Sequence, residues 1–313
     1  MSLDEKNNID QISPVSSISN DAPNTTNTTT TTTTDITALD NLQVLPKILQ
    51  EGILFVASGP ALLLQAAQPG LKNRLNQTNP TITTASTSTT PSLADELTTT
   101  LHATLSYIAC LVFGTGEEKE ALLGRLRLSQ PPFPIPASSA ATSDPNTQLW
   151  LLATLYATAT DFYQRIYGRV DYRTAERGYA EFTLLLKHLD SAVPFPAATL
   201  WPASRTDFWR YWDDQVEHLS VSGDAHKFAH DLAHNTALPR WVGFMKPFMR
   251  VVTVEMLPVR IREAYGLKST AGTRGLYRAT MGFSVAVYPA LPKSVRAYPV
   301  KYYLDEVKRV LGS

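Results

Sequence analysis

The sequence predicts an all-α fold, a single multi-helix bundle domain, on three observations. Apolar side chains recur at three- and four-residue spacing through most of the 313 residues. Helix-starting and helix-stopping residues bracket those runs, and no series of alternating apolar and polar residues marks strands. The clearest case is DPNTQLWLLATLYATATDFYQRIYGRV. Asp144 stands at an N-cap, and Pro145 occupies the first turn, where its missing N–H costs nothing. Leu149, Leu152, Ala153, Tyr156, Thr160 and Tyr163 then share a face until Gly168 ends the helix. In DYRTAERGYAEFTLLLKHLD, Asp171 caps, and Ala175, Tyr179, Phe182, Leu185 and Leu186 form the apolar side. SRTDFWRYWDDQVEHL repeats the logic with Ser204 at its start and Phe208, Trp212 and Val216 along one face. FGTGEEKE reads as a turn and then a helix start, with Glu117 and Glu118 favoured by the helix dipole. About eight to ten helices are expected.

Three segments interrupt the bundle. Residues 1–40 form a polar tail around TTNTTTTTTTD, which lacks the apolar side chains that offset the entropy of ordering and is expected to be disordered. The bundle then occupies 41–313, with the Thr/Ser-rich segment 76–92 as a long surface loop. SQPPFPIPASSAATSDPN, residues 129–146, is expected to be extended, because each proline biases its predecessor away from helix.

Composition removes several functional classes. Lysine plus arginine and aspartate plus glutamate each total 28, so net charge steers the chain toward neither nucleic acid nor an anionic surface. The single cysteine, Cys110, lies in the apolar run SYIACLVF and reads as an inert buried thiol, which suits a cytoplasmic location. The N-terminus MSLDEKNNIDQISPVSS has neither signal nor transit character. The apolar run GILFVASGPALLLQAA falls short of the roughly 20 residues a spanning helix needs, so no transmembrane segment is expected. Phosphate-binding glycine motifs and the GxSxG nucleophile elbow are absent. Asp213 and Asp214 diverge on a helix, and Arg165, Arg169 and Arg173 read as solvated or ion-paired.

The most metal-like stretch is DAHKFAHDLAHN, where His226, His230 and His234 recur every four residues. That spacing stacks the imidazoles on one helix face, begun by Ser222 or Asp224. Two of them could share an ion, but a third ligand from another element is missing and no HExxH glutamate lies between them. An ordinary helix face is the simpler reading. The 29 aromatic residues suit an apolar pocket for a hydrophobic small molecule, and suit a plain core equally.

Five segments occur in an order that carries a resemblance: ALLLQAAQPG (61–70), TLSYIACLVFGTGEE (104–118), DPNTQLWLLATL (144–155), LPVRIREAYGL (257–267) and PALPKSVRAYP (289–299). Together they resemble the catalytic-domain family of the bacterial rubber oxygenase (latex-clearing protein) and the fungal ER-bound oxygenases of mycophenolic acid biosynthesis. The resemblance implies an all-α fold holding haem b, with oxygenase chemistry on hydrophobic substrates. This chain departs from it at the positions that matter. Where the family has histidine in an AHP step, Gln68 stands here; the register of the iron-binding histidine falls on Gln130; and Ala103 replaces the arginine before Thr104. A glutamine amide is a poor iron ligand beside imidazole.

No cofactor is therefore favoured, and a retained haem or metal would need His102, His226 or His230. The leading expectation is a natural-product enzyme, a redox-independent cyclase or isomerase acting on an apolar polyene or terpenoid. Gln130, Gln68 and Thr104 are the expected hydrogen-bonding groups, with Tyr107, Trp150 and Tyr163 as cavity walls. The alternatives are a haem-dependent oxygenase with an altered axial ligand and a non-catalytic binding or scaffold protein.

Overall fold

A computed structural model describes residues 36–69, 71, 93–133, 144–192, 196–234 and 246–312. The tail through residue 35, the loop 76–92 and positions 134–143 of the Pro-rich stretch lie outside the described residues. Among the described residues no strand occurs, and fifteen helices follow one another. They are α1 (36–40), α2 (Leu45–Leu49), α3 (Ser58–Ala66), α4 (Leu93–Phe113), α5 (Gly116–Arg127), α6 (Pro145–Tyr167), α7 (Tyr172–Ala192) and α8 (Pro196–Leu200). Then come α9 (Arg205–His218), α10 (Gly223–His234), α11 (Lys246–Met256), α12 (Val259–Ala264), α13 (Ala271–Val287), α14 (Lys293–Arg296) and α15 (Tyr298–Leu311). A 3-10 helix, Gly52–Ala57, leads into α3.

The helix ends follow their capping chemistry. Asp144 accepts from Thr147 N at 2.9 Å to start α6, and Gly168, at φ 88°, ends it in a conformation that other residues rarely adopt. Thr115 and Glu118 form a capping box at α5. Asp171 accepts from Thr174 N at 3.0 Å, and Ser204 from Asp207 N at 3.1 Å. Ser222, rather than Asp224, caps α10, accepting from Ala225 N at 3.1 Å. The expected tail ends earlier than residue 40, because 36–40 are helical and Ile36 and Leu39 are buried in the core.

Helix α3 sits at the centre because it is apolar nearly all round, and such a helix must be enclosed. All nine of its residues are buried, against α6, α4, α10 and α11. Its last carbonyls need partners from outside the helix. Trp150 Nε1 donates to Leu64 O at 3.0 Å, the Tyr265 hydroxyl to Leu63 O at 2.7 Å, and Ser220 N to Ala67 O at 2.9 Å. Beside it α6, α7, α8 and α9 meet in an aromatic cluster of Tyr156, Tyr179, Phe182, Trp201 and Phe208. The C-terminal α15 returns to lie along α4. It comes close to Gly52, where a Cβ would stand 2.5 Å from both Arg296 O and Pro299 Cδ. By contrast α13 buries only Met281 and Ser284.

Candidate active site

Two apolar cavities flank the 3-10 helix. The inner one, about 380 Å³, is walled by Leu105, Ile108 and Phe113 of α4, Leu155 and Tyr163 of α6, Phe182 of α7 and Tyr303 of α15. A second, about 700 Å³, is walled by His102 of α4, Leu62 and Leu63 of α3, and Met249 and Arg250 of α11. Phe55, Ser58, Leu101 and Tyr303 belong to both walls, so the cavities are neighbours.

The wall of the inner cavity includes a buried carboxylate, Glu51, whose partners Tyr167 and Arg296 lie outside the lining. Glu51, 5% exposed, accepts from Tyr167 OH at 2.7 Å and from Arg296 Nη1 at 2.7 Å, and Arg296 Nη1 also reaches Tyr167 OH at 3.1 Å. The Tyr163 ring lies 4.8 Å from that of Tyr167, and Tyr288 OH accepts from Ile53 N at 3.1 Å. Burial, then the hydrogen bond to Glu51, pushes the Tyr167 phenol well above its ordinary range. Burial and the same carboxylate raise Tyr163. Burial lowers the affinity of Arg296 for its proton, but the bond to Tyr167 and the charge of Glu51 outweigh it and the net shift is upward. A hydrogen-bonded ionic group beside an apolar hollow is costly to keep and is a recurrent mark of a working site.

The second cavity carries a histidine–carboxylate pair. His102 Nε2 lies 2.9 Å from Glu306 Oε2, and the imidazole packs edge-on to Phe133 and tilted against Tyr303. Both partners are partly buried.

The residues expected from sequence are dispersed. Tyr163 lines the inner cavity as expected. Gln130 does not reach either cavity: it is exposed past the end of α5, after Ser129 at φ 55°. Trp150 is fully buried between its bond to Leu64 O and a stack on Trp212, so it supports the core and does not wall a pocket. The Tyr107 hydroxyl is committed to the Phe133 carbonyl. Thr104 bonds back to Thr100 O at 2.8 Å and faces only a void of about 10 Å³. Gln68 is buried with Oε1 unpartnered, away from both cavity walls. His226 and His230 are exposed on α10, and the side chain of His234 lies outside the described residues. No group of three or more metal-ligating side chains occurs among the described residues.

Sequence reasoning missed Glu51, Tyr167 and Arg296. Two signals could have pointed to them: a lone acid opening the apolar run EGILFVASGPALLL, and a lone arginine inside PALPKSVRAYP. Each charge adjoins a segment that must be buried, so each needs a partner.

The sequence profile of the family described as "ER-bound oxygenase mpaB/B'/Rubber oxygenase, catalytic domain" matches residues 46–286. The chain belongs to this family. Membership of the mpaB/rubber oxygenase family places it among oxygenase-type enzyme domains, and the match spans most of both cavity walls. Among curated proteins it is similar to the uncharacterized protein Mb2261 of Mycobacterium bovis and the uncharacterized protein Rv2237 of Mycobacterium tuberculosis. Each is 26% identical over 141 residues, 44% of this chain and 53% of theirs. The chain thus spans about half the length of the curated relatives it matches. No solved structure matches it.

Haem b, which the mpaB/rubber oxygenase family implies, does not fit at the ligand register that the resemblance assigns. Gln130 there is an exposed amide, and the void beside Thr104 and Gln148 has room for about one water. His102 is the better fit. It is an imidazole on the wall of a 700 Å³ cavity, with one ring nitrogen held by a carboxylate. That is how ligating histidines are commonly oriented.

Proposed function

We propose that the chain is a natural-product enzyme, a redox-independent cyclase or isomerase that folds an apolar polyene or terpenoid into the inner cavity. The observation that carries this reading is Glu51, a buried carboxylate on the apolar wall, held by Tyr167 and Arg296, which do not themselves line the cavity. The cavity's 380 Å³ falls in the range of small-ligand pockets, roughly 300–1,000 Å³. Apolar walls select one coiled conformer of a flexible chain and supply much of the acceleration by orientation. Glu51 takes a proton from an activated C–H, the electron pair shifts into the π system, and the proton is returned at the far carbon. Arg296 and Tyr167 hold the carboxylate in place, and the hydroxyl of Tyr163 stabilises negative charge developing on a substrate carbonyl. One such donor is worth about 3 kcal/mol in the transition state. No oxidant is consumed.

The test is anaerobic incubation of the purified chain with acyclic C15 and C20 polyene alcohols and aldehydes, read by mass spectrometry. An isomer of unchanged mass, lost in Glu51→Gln, is the expected result. Products that gain oxygen, formed only in air, would overturn it, and binding without turnover would point to a scaffold.

The His102–Glu306 pair supports a second reading, a haem-dependent oxygenase in which His102 would hold the haem. Haem held there would supply oxygen activation, while the cavity positions the hydrophobic substrate and Glu306 fixes the imidazole tautomer. A Soret band in protein expressed with haem, abolished by His102→Ala, is its signature.

A further inference from the structure

We infer that the face formed by α13, α14 and the start of α15 docks onto an anionic lipid surface. The inference stands apart from the catalytic reading and begins with α13. Seventeen residues, AGTRGLYRATMGFSVAV, contain no acid, and only Met281 and Ser284 are buried. Leu276, Thr280, Phe283 and Val287 follow at three- and four-residue spacing, so they form one stripe along the helix. The stripe points outward: Leu276 is 50% exposed and Phe283 67%. Val295 of α14 and Tyr298 of α15 are exposed to a similar degree, 55% and 50%. Isolated exposed apolar residues are ordinary, but a contiguous set marks an interaction face.

These residues surround an open apolar groove of about 800 Å³, with Phe283 and Val287 on one side, Val295 and Tyr298 on the other and Phe248 at its base. The groove has the character of a slot for an acyl chain. It lies on the surface, distinct from the two cavities, although Gly52 and Pro299 belong to its wall as well as to that of the inner cavity.

Charge identifies the occupant. Between Glu263 and Asp305 there is no acidic residue, while Lys268, Arg274, Arg278, Lys293, Arg296 and Lys301 are all basic. The segment is +6, so the remainder, with 28 − 6 = 22 basic and 28 acidic residues, is −6. Arg296 is spent on Glu51, but the other five are exposed, and none pairs with a carboxylate among the described residues. Exposed apolar side chains on an acid-free segment that carries unpaired cations, Lys293 and Lys301 beside Val295 and Tyr298 in sequence, match an interfacial site on anionic lipid, where rings enter the acyl boundary and cations meet headgroups. A symmetric second copy would set like charges against each other across a shared axis. The lipid satisfies both features at once. No helix among the described residues is long and apolar enough to cross a membrane.

The test is flotation of the full chain with vesicles of phosphatidylcholine alone and of phosphatidylcholine with phosphatidylserine at about 7:3. Binding is expected to the anionic vesicles only and to fall with added salt, since the Debye length shrinks from about 10 Å at 0.1 M to 3 Å at 1 M. Phe283→Asp with Val295→Asp should reduce partitioning about tenfold with helical content unchanged by circular dichroism, and Lys293→Glu with Lys301→Glu should do the same. Leu128→Asp, at a 70% exposed site elsewhere, is the control and should float like the native chain. Equal flotation with neutral vesicles, or native flotation of both double variants, would overturn the inference. So would a concentration-dependent dimer that Phe283→Asp dissolves in a chain that ignores vesicles.

Discussion

Glu181 is the residue whose removal should cost the bundle most for its size. It is 7% exposed on α7, and its carboxylate accepts from Gln43 N at 2.9 Å, Val44 N at 2.9 Å and Leu45 N at 2.7 Å. Arg177 Nε adds a fourth bond at 3.1 Å. The three amides are the unpaired donors at the start of α2, so one distant side chain does the work of a helix cap. A hydrogen bond to a charged group is worth about 1.5–3 kcal/mol, and three give roughly 4.5–9 kcal/mol before the cost of burying the carboxylate, which is several kcal/mol. Glu181→Ala should therefore destabilise by about 3–4 kcal/mol. Glu181→Gln, which keeps one acceptor but turns its NH₂ toward donors, should cost about 2 kcal/mol.

The pH dependence has a definite sign. Burial raises the Glu181 pKa, but the amides of Leu45, Gln43 and Val44 and then Arg177 lower it further, so the folded value lies below the unfolded one. Its contribution is thus fully present above the unfolded pKa, about 4.3, and is lost as pH falls through the folded value. Urea unfolding of native chain and both variants at pH 7, with a series down to pH 3, measures these quantities. A loss under 1 kcal/mol for Glu181→Ala, or a variant that keeps the native acid sensitivity, would refute the reasoning. Because Leu45, Ile48 and Leu49 of α2 wall the inner cavity, ligand binding should weaken in step.

Trp150→Phe removes the indole bond to Leu64 O and should cost about 1–2 kcal/mol in urea unfolding, leaving turnover unchanged once folded. Gly59→Ala would place a methyl 2.1 Å from Thr253 Oγ1 and should destabilise by about 1–3 kcal/mol, an effect that adding Thr253→Ala partly reverses. Burial, reinforced by the charge of Glu118, pushes the Cys110 thiol up to about 12. A disulfide reagent at pH 8 should therefore label no thiol in the folded chain and one per chain in urea.

What the sequence made legible was local. Asp144, Pro145 and Gly168 delimit α6 because capping acts within three or four residues, and Thr115, Asp171 and Ser204 do the same for their helices. Ile36 and Leu39, three apart in DITALD, were a readable apolar pair whose polar neighbours hid them. The site was not local. Glu51 meets Tyr167 across 116 positions and Arg296 across 245, and no spacing rule reaches that far. Gln130 drew attention through family register, yet the chain around Ser129 leaves it exposed. A net charge of zero concealed the segregation of +6 into the span before Asp305, because a total carries no positional information.

Pro299, Val300 and Tyr303 give Gly52 a further meaning. They come from α15, yet they complete a chamber whose other walls begin with α2. The chamber has no room for a side chain at the seam, since Gly52 lies directly against Pro299 and the Arg296 carbonyl. During synthesis the walls from α4 and α6 must therefore wait, as an open apolar trough, until the start of α15 leaves the ribosome and is laid over them. A stop codon in place of Tyr298 would strip away that cover while sparing every helix before it. Such a shortened chain should be captured by chaperones that recognise exposed apolar surface.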